Sequence, residues 1–290
     1  LPSHTSFTLR DVFQVSLAVY RRRFRTMMAA SVLVLLPFQI LNAYVQVRFL
    51  SDVSTTDSTN WIVRLQSART IGQMVHAIPA AYVTWIPLLT LVYVLLVFPL
   101  MLAMVSRVVV GMIARGMDVP TADAGNDAFR RLPLGVLTIV MTIVLYAVGS
   151  GVWTFGVSLL ASVVASISQV LAYVLTVLGS LAYMVASLWF FLHVLFLPVV
   201  VAEEGVGFFR AIRRCFIIAR GDLGRLVGFF VLLFVICSIA QGVLTLFGDL
   251  LFPTSGGSLL VSLLVSLLTT PFVYVAISVM YLDMRTRKHI

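Results

Sequence analysis

Acid–base chemistry has few places to reside in this chain. His193 stands in an apolar stretch ten residues before Glu203, with Glu204 beside it. An imidazole and a carboxylate are a common general acid–base pair, but ten residues of one straight helix span ~15 Å, too far to share a proton. The alternative reading of His193 is a neutral imidazole hydrogen-bonded between helices. The four histidines, His4, His76, His193 and His289, are too scattered along the sequence to share one zinc ion. No His-Glu-x-x-His, Gly-x-Ser-x-Gly or phosphate-cradling glycine loop occurs. These residues give no catalytic set and call for no metal or cofactor.

Arginine offers a different chemistry. Lys and Arg total 20 against 11 Asp and Glu, for a net charge of +9 and a pI near 10.2, and Lys288 is the only lysine. Three segments share their wording: Ala18-Val19-Tyr20-Arg21-Arg22, continued by Arg23; Ala128-Phe129-Arg130-Arg131; and Ala211-Ile212-Arg213-Arg214, between Arg210 and Arg220. Closely spaced guanidinium groups beside apolar surface suit phosphate headgroups of anionic lipid. Arg21, Arg22, Arg23, Arg130, Arg131, Arg210, Arg213, Arg214 and Arg220 are therefore the candidate headgroup-binding residues. No aromatic platform is interleaved with them, so the charge does not indicate nucleic acid.

Gln39, Asn42, His193 and Gln241 are polar residues inside apolar runs. They are candidates for lining a cavity in a transporter or channel, and polar side chains equally serve to join helices. Pro37, Pro99, Pro198 and Pro271 each remove a backbone donor and kink a helix. Arg107 is placed to snorkel from an apolar run, and Glu203-Glu204 to pair with Arg210 or Arg213. Gly224-x-x-x-Gly228 and Ala161-x-x-x-Ala165 carry small residues at helix-contact spacing, for packing or self-association.

The elements that must position these groups follow from hydropathy. The composition is 61% hydrophobic and 11% charged, with mean hydropathy +1.08, and no charged residue lies between Arg131 and Glu203. So much apolar surface requires lipid as its solvent. At about 20 residues per crossing, the apolar runs predict six transmembrane helices, over 26–47, 82–113, 134–157, 171–201, 225–248 and 258–282. The charge-free run is read as two long helices, because basic clusters flank it on both sides and such flanks share the cytoplasmic face. Its surplus, LLASVVASIS, either prolongs the third helix or lies at the outer surface. An even number of crossings puts both termini in the cytoplasm, with sixteen basic residues inside against Arg48, Arg64 and Arg69 outside.

The repeated basic wording predicts three units, each an interfacial amphipathic helix followed by a transmembrane hairpin, in one membrane domain over 1–290. The first amphipathic helix covers 8–25 and opens on a Thr8-x-x-Asp11 capping box, with Leu9, Val12, Phe13, Leu17, Tyr20 and Phe24 along one face. Another covers 205–220, where the arginine stripe runs beside Phe209, Ile212 and Phe216. In this reading the apolar faces lie in the acyl boundary and the arginines at the phosphates. Residues 48–81 form an external loop too small to be a catalytic domain. Cys215 and Cys237 fall in a cytoplasmic segment and a membrane helix, so they define no disulfide framework.

The stretch LFLPVVVAEEGVGFFRAIRRCFIIARGDLGRLVGFF, 195–230, resembles bacterial six-helix membrane proteins of two kinds. They are the membrane domain found ahead of glycerophosphodiester phosphodiesterase catalytic domains and the YciC-like inner-membrane proteins. TLRDVFQVSLAVYRRRFRTMMAASVLVLLP, 8–37, is similar to their opening segment. The resemblance implies an all-α, multi-pass protein of the bacterial inner membrane, linked to lipid or membrane homeostasis. It does not imply phosphodiesterase activity, since neither the catalytic barrel nor its His-Arg pair occurs within these residues. The function expected is a non-enzymatic module that binds anionic lipid, with a protein partner or a second copy as further ligand. The alternative is a small transporter or channel.

Overall fold

The computed structural model describes residues 8–45, 48, 80–114, 116–252 and 255–288. Among these the architecture is all-helical without strands. The helices are α1 (Leu9–Arg22), α2 (Phe24–Val45), α3 (Ala80–Val92), α4 (Phe98–Ala114), α5 (Thr121–Ala165), α6 (Gln169–Val194), α7 (Leu197–Glu204), α8 (Phe208–Ala219), α9 (Leu223–Leu251) and α10 (Ser255–Arg287). Six stretches are long and apolar enough to cross a membrane: Phe24–Val45, Thr84–Ala114, Thr121–Ala165, Gln169–Glu204, Leu223–Gly248 and Leu260–Arg287. Most of the expected external loop, 48–81, lies outside the described residues.

Departures from the expected boundaries have local causes. The third helix, expected over 134–157, is part of α5, whose 45 residues make a rod ~68 Å long. The surplus LLASVVASIS prolongs it, because no glycine, proline or charge interrupts the run before Ser166. The Ser168 hydroxyl then caps α6 by accepting from the Leu171 amide at 3.4 Å. The fourth helix, expected unbroken over 171–201, pauses after Val194 and restarts as α7 with Pro198 in its first turn. Gly205 closes α7 in the left-handed conformation, φ 67°, which glycine adopts without steric cost. In the second span a π-helical turn, Tyr93–Val97, joins α3 to α4. Pro99 follows directly and cannot donate to the carbonyl four residues back.

The tightly packed core lies where the arginine-bearing segments gather. Met101, Leu102 and Val109 of α4, Phe196 just before α7 and Val199 within it, Cys215 and Ile218 of α8, Phe229 of α9, and Met280 and Tyr281 of α10 are all fully buried there. Helix α10 packs against α1, α2, α4 and α9. Helices α5 and α6 run along one another, and most of their length away from the arginines is exposed, including Phe155, Ile167, Val170 and Tyr173.

Helix α1 begins with the expected reciprocal cap. The Thr8 amide donates to Asp11 Oδ2 at 2.8 Å, and the Asp11 amide to Thr8 Oγ1 at 3.3 Å. Bonds from the Thr8 hydroxyl and then its amide hold the Asp11 carboxyl below its ordinary range. Part of the apolar face of α1, however, is covered by protein. Val12, Ser16 and Val19 are buried, the Phe13 ring lies 5.5 Å from Phe229, and Tyr20 Oη donates to the Leu268 carbonyl at 2.9 Å. Leu17 and Phe24, read as part of that face, are exposed. Helix α8 differs from expectation in the same way, because α5, α6 and α7 cover its Ala211, Ile212, Cys215 and Ile218.

Candidate functional site

At the arginine-rich end, carboxylates from five loops and helices meet guanidinium groups from five. Arg107, expected to snorkel, is only 12% exposed, with Nη1 3.7 Å from Glu203 Oε2 and Nη2 3.8 Å from Asp127 Oδ2. The Glu203 side chain, 2% exposed, is thereby neutralised across the α4–α7 contact. Glu204 pairs with neither Arg210 nor Arg213. Its Oε2 accepts from Arg214 Nε at 2.9 Å and its Oε1 from Tyr281 Oη at 2.9 Å. Asp283, 1% exposed, lies 2.7 Å from Arg225 Nη2 and 3.2 Å from Arg287 Nε. Lys288 lies 3.7 Å from Asp222 and also donates to the Arg220 carbonyl, and Arg23 pairs with Asp118. Charges as deeply placed as Glu203 and Asp283 are tolerated only in pairs, so Arg107–Glu203 fixes α4 against α7 and Arg225–Asp283 fixes α9 against α10.

These pairings divide the nine candidate headgroup residues. Arg23 and Arg214 are held by carboxylates, and Arg131 Nη1 donates to the Ala202 carbonyl at 2.6 Å. Those three serve the fold. Arg21, Arg22, Arg130, Arg210, Arg213 and Arg220 are exposed at the same end. Phe208 and Phe209 are exposed beside Arg210, with the Phe208 amide donating to Thr138 Oγ1 at 3.0 Å. Rings and guanidinium groups thus stand side by side on one exposed surface.

The candidate cavity residues do not converge on one space. Gln39 Nε2 donates to Ser266 Oγ at 3.0 Å and Gln241 Nε2 to Thr269 Oγ1 at 3.1 Å, so both clasp α10 about one turn apart. His193 lies elsewhere, 3% exposed, with its ring stacked on Phe216 at 4.5 Å and Nδ1 2.8 Å from the Trp189 carbonyl. Asn42 is half-buried. Sequence reasoning missed the Tyr93 Oη–Tyr274 Oη contact at 2.9 Å, next to the π-turn. The proline at position 99 was its only sequence signal.

The Cys215 thiol is pushed well above its ordinary range by burial and then by the nearby Glu204 charge, which suppresses its reactivity. Among the described residues no three His, Cys, Asp or Glu side chains cluster as a metal site would. No protein-family model, curated protein or solved structure matches the chain.

Proposed function

We propose that the protein is a non-enzymatic membrane module whose arginine-rich end binds anionic phospholipid headgroups. One observation carries this reading: Arg21, Arg22, Arg130, Arg210, Arg213 and Arg220 stay exposed at an end where other arginines are paired with acids. The charge asymmetry of the sequence supports placing that end and both termini on the cytoplasmic side, as six crossings in three hairpins, each introduced by a basic amphipathic segment. The resemblance noted above favours a bacterial inner membrane and a role in lipid homeostasis, with a protein partner or a second copy docking on the same side. Transport has less support, because Gln39 and Gln241 bond to α10 and His193 to a carbonyl of its own helix, instead of lining one space.

The test exchanges all six exposed arginines for glutamine and measures phosphatidylglycerol retained by the purified protein in native mass spectrometry. Retention should fall while the melting temperature holds. Arg214→Gln should do the reverse, lowering stability and keeping the lipid. Unchanged retention in the six-fold variant would remove the reading.

A further inference from the structure

Helices α5 and α6 enclose a groove of about 460 Å³, within the ~300–1,000 Å³ of ordinary small-molecule sites. Thr142, Ile143 and Tyr146 line it from α5, and Ser187, Phe190 and Val194 are among its lining from α6. Tyr146 Oη lies 2.7 Å from Tyr183 Oη and donates to Ser187 Oγ at 3.1 Å. These hydroxyls satisfy one another, leaving the groove rings and methyl groups to present. Both walls belong to the run between Arg131 and Glu203 that contains no charged residue. An occupant of the groove is therefore apolar, and any charge it carries must lie beyond an end.

One end is set by α8. Thr142 Oγ1 donates to the Thr138 carbonyl at 2.8 Å, and Thr138 Oγ1 accepts from the Phe208 amide, so the first turn of α8 sits one turn above the α5 wall. On the other wall, the Phe216 ring lies 6.4 Å from Phe190 and 5.5 Å from Trp189. Arg213 and Arg220 stand three residues before and four after Phe216, the spacings that make side chains neighbours on a helix. Both are exposed, whereas Arg214 on the far edge of α8 is taken by Glu204.

Deepening the headgroup reading and resting on it, we propose that this site holds one anionic glycerophospholipid, its phosphate between Arg213 and Arg220 and one acyl chain passing Phe216 into the α5–α6 groove. The two parts match in charge and polarity. A cationic rim meets the phosphate, and an uncharged trough of about 460 Å³ lined by rings and methyl groups takes the acyl chain.

Trp189, 47% exposed and in contact with Phe216, reports on the rim. The full-length protein carrying Trp61→Phe, Trp85→Phe and Trp153→Phe is placed in phosphatidylcholine vesicles. A minor fraction of either phosphatidylglycerol or phosphatidylcholine with brominated acyl chains is then added, and quenching of Trp189 is measured. Brominated phosphatidylglycerol should compete about thirtyfold better for the site than brominated phosphatidylcholine, as two arginines at a lipid surface warrant. That preference should disappear in Arg213→Gln/Arg220→Gln. It should also disappear in Ser187→Phe and in Ile143→Phe, which fill the groove and leave the arginines intact, with size-exclusion profiles confirming folded protein. Equal quenching by the two lipids overturns the proposal. A preference that survives both groove-filling variants but not the arginine exchange also overturns it, while leaving the general headgroup reading standing. If the three-tryptophan variant fails to fold, a photoreactive fatty-acyl phosphatidylglycerol cross-linked to the unmodified chain gives the same decision. Adducts on α5 and α6 near Tyr146 and Ser187 support the groove, and adducts spread evenly over the spans overturn it.

Discussion

The arginine-rich end and the far half of the α5–α6 pair are held together by different means. At the first, carboxylates lock helix ends at defined positions: Asp283 joins α9 to α10, Glu204 joins α7 to α8 and α10, and Glu203 joins α7 to α4. At the second there is no charge to use. Contact there comes from Trp153 Nε1 donating to the Gly179 carbonyl at 3.2 Å, from the Tyr146–Tyr183–Ser187 hydroxyls and from close approach of Val157 to Gly179. Both solutions satisfy polar groups away from water. The ionic one fixes position strongly but is expensive if half of it is lost, and the hydroxyl one is weak and forgiving.

The largest expected break in this comparison is Asp283→Ala. It leaves Arg225 and Arg287 facing each other with their carboxylate gone, and removing one partner of a buried pair costs about 3–5 kcal/mol. Thermal unfolding in mild detergent should show a drop in melting temperature larger than that of any single substitution in the far half of α5–α6.

A glycine pair sharpens the contrast. A Cβ at Gly111, near the arginine-rich end, would come 2.6 Å from Val119 Cγ2, whereas at Gly156 of α5 it would meet nothing within 4 Å. Gly111→Ala should cost roughly 1–3 kcal/mol through overpacking, relieved by adding Val119→Ala. Gly156→Ala should stabilise by about 0.5–1 kcal/mol, since alanine is the better helix former. A destabilising Gly156→Ala would mean that another surface packs against that face.

The smallest effect concerns Tyr146→Phe, which removes both hydroxyl contacts. Hydrogen bonds between membrane helices average ~0.6 kcal/mol, so the shift in unfolding should be barely resolvable and far below that of Asp283→Ala. An equally large loss would erase the distinction between the two regions.

The all-helical class and the six apolar spans were legible because lipid imposes a length rule. Charge-free runs of sufficient length could be counted directly, and the capping box at Thr8 and Asp11 is a local signal that needs no tertiary knowledge. The partners of the charged groups were not legible. Arg107 sits within an apolar run and looks like a snorkelling residue until α7 brings Glu203 to it, a contact between positions far apart in the chain. The amphipathic faces of α1 and α8 were visible as patterns, but periodicity says only that a face is apolar. Whether lipid or another helix covers it depends on packing, and here α9 and α10 cover α1. Neither the groove nor its rim has a sequence signature, because the rim exists only once Phe216 lies against Trp189 and Phe190.

Helix α10 packs against α1, α2, α4 and α9, all of which precede it in the chain. A ribosome therefore delivers the helices that need α10 before it delivers α10 itself. Until residues as late as Asp283 emerge, Arg225 has no carboxylate at 2.7 Å, Tyr93 has no Tyr274 hydroxyl, and Gln39 has no Ser266. The earlier spans already pack on one another, α4 on α5 and α7 and α5 on α6, and Arg107 already has Glu203, so it is the contacts of α1, α2, α4 and α9 with α10 that wait. The fold is thus completed from its last helix, which closes ion pairs and hydroxyl contacts begun by helices made much earlier.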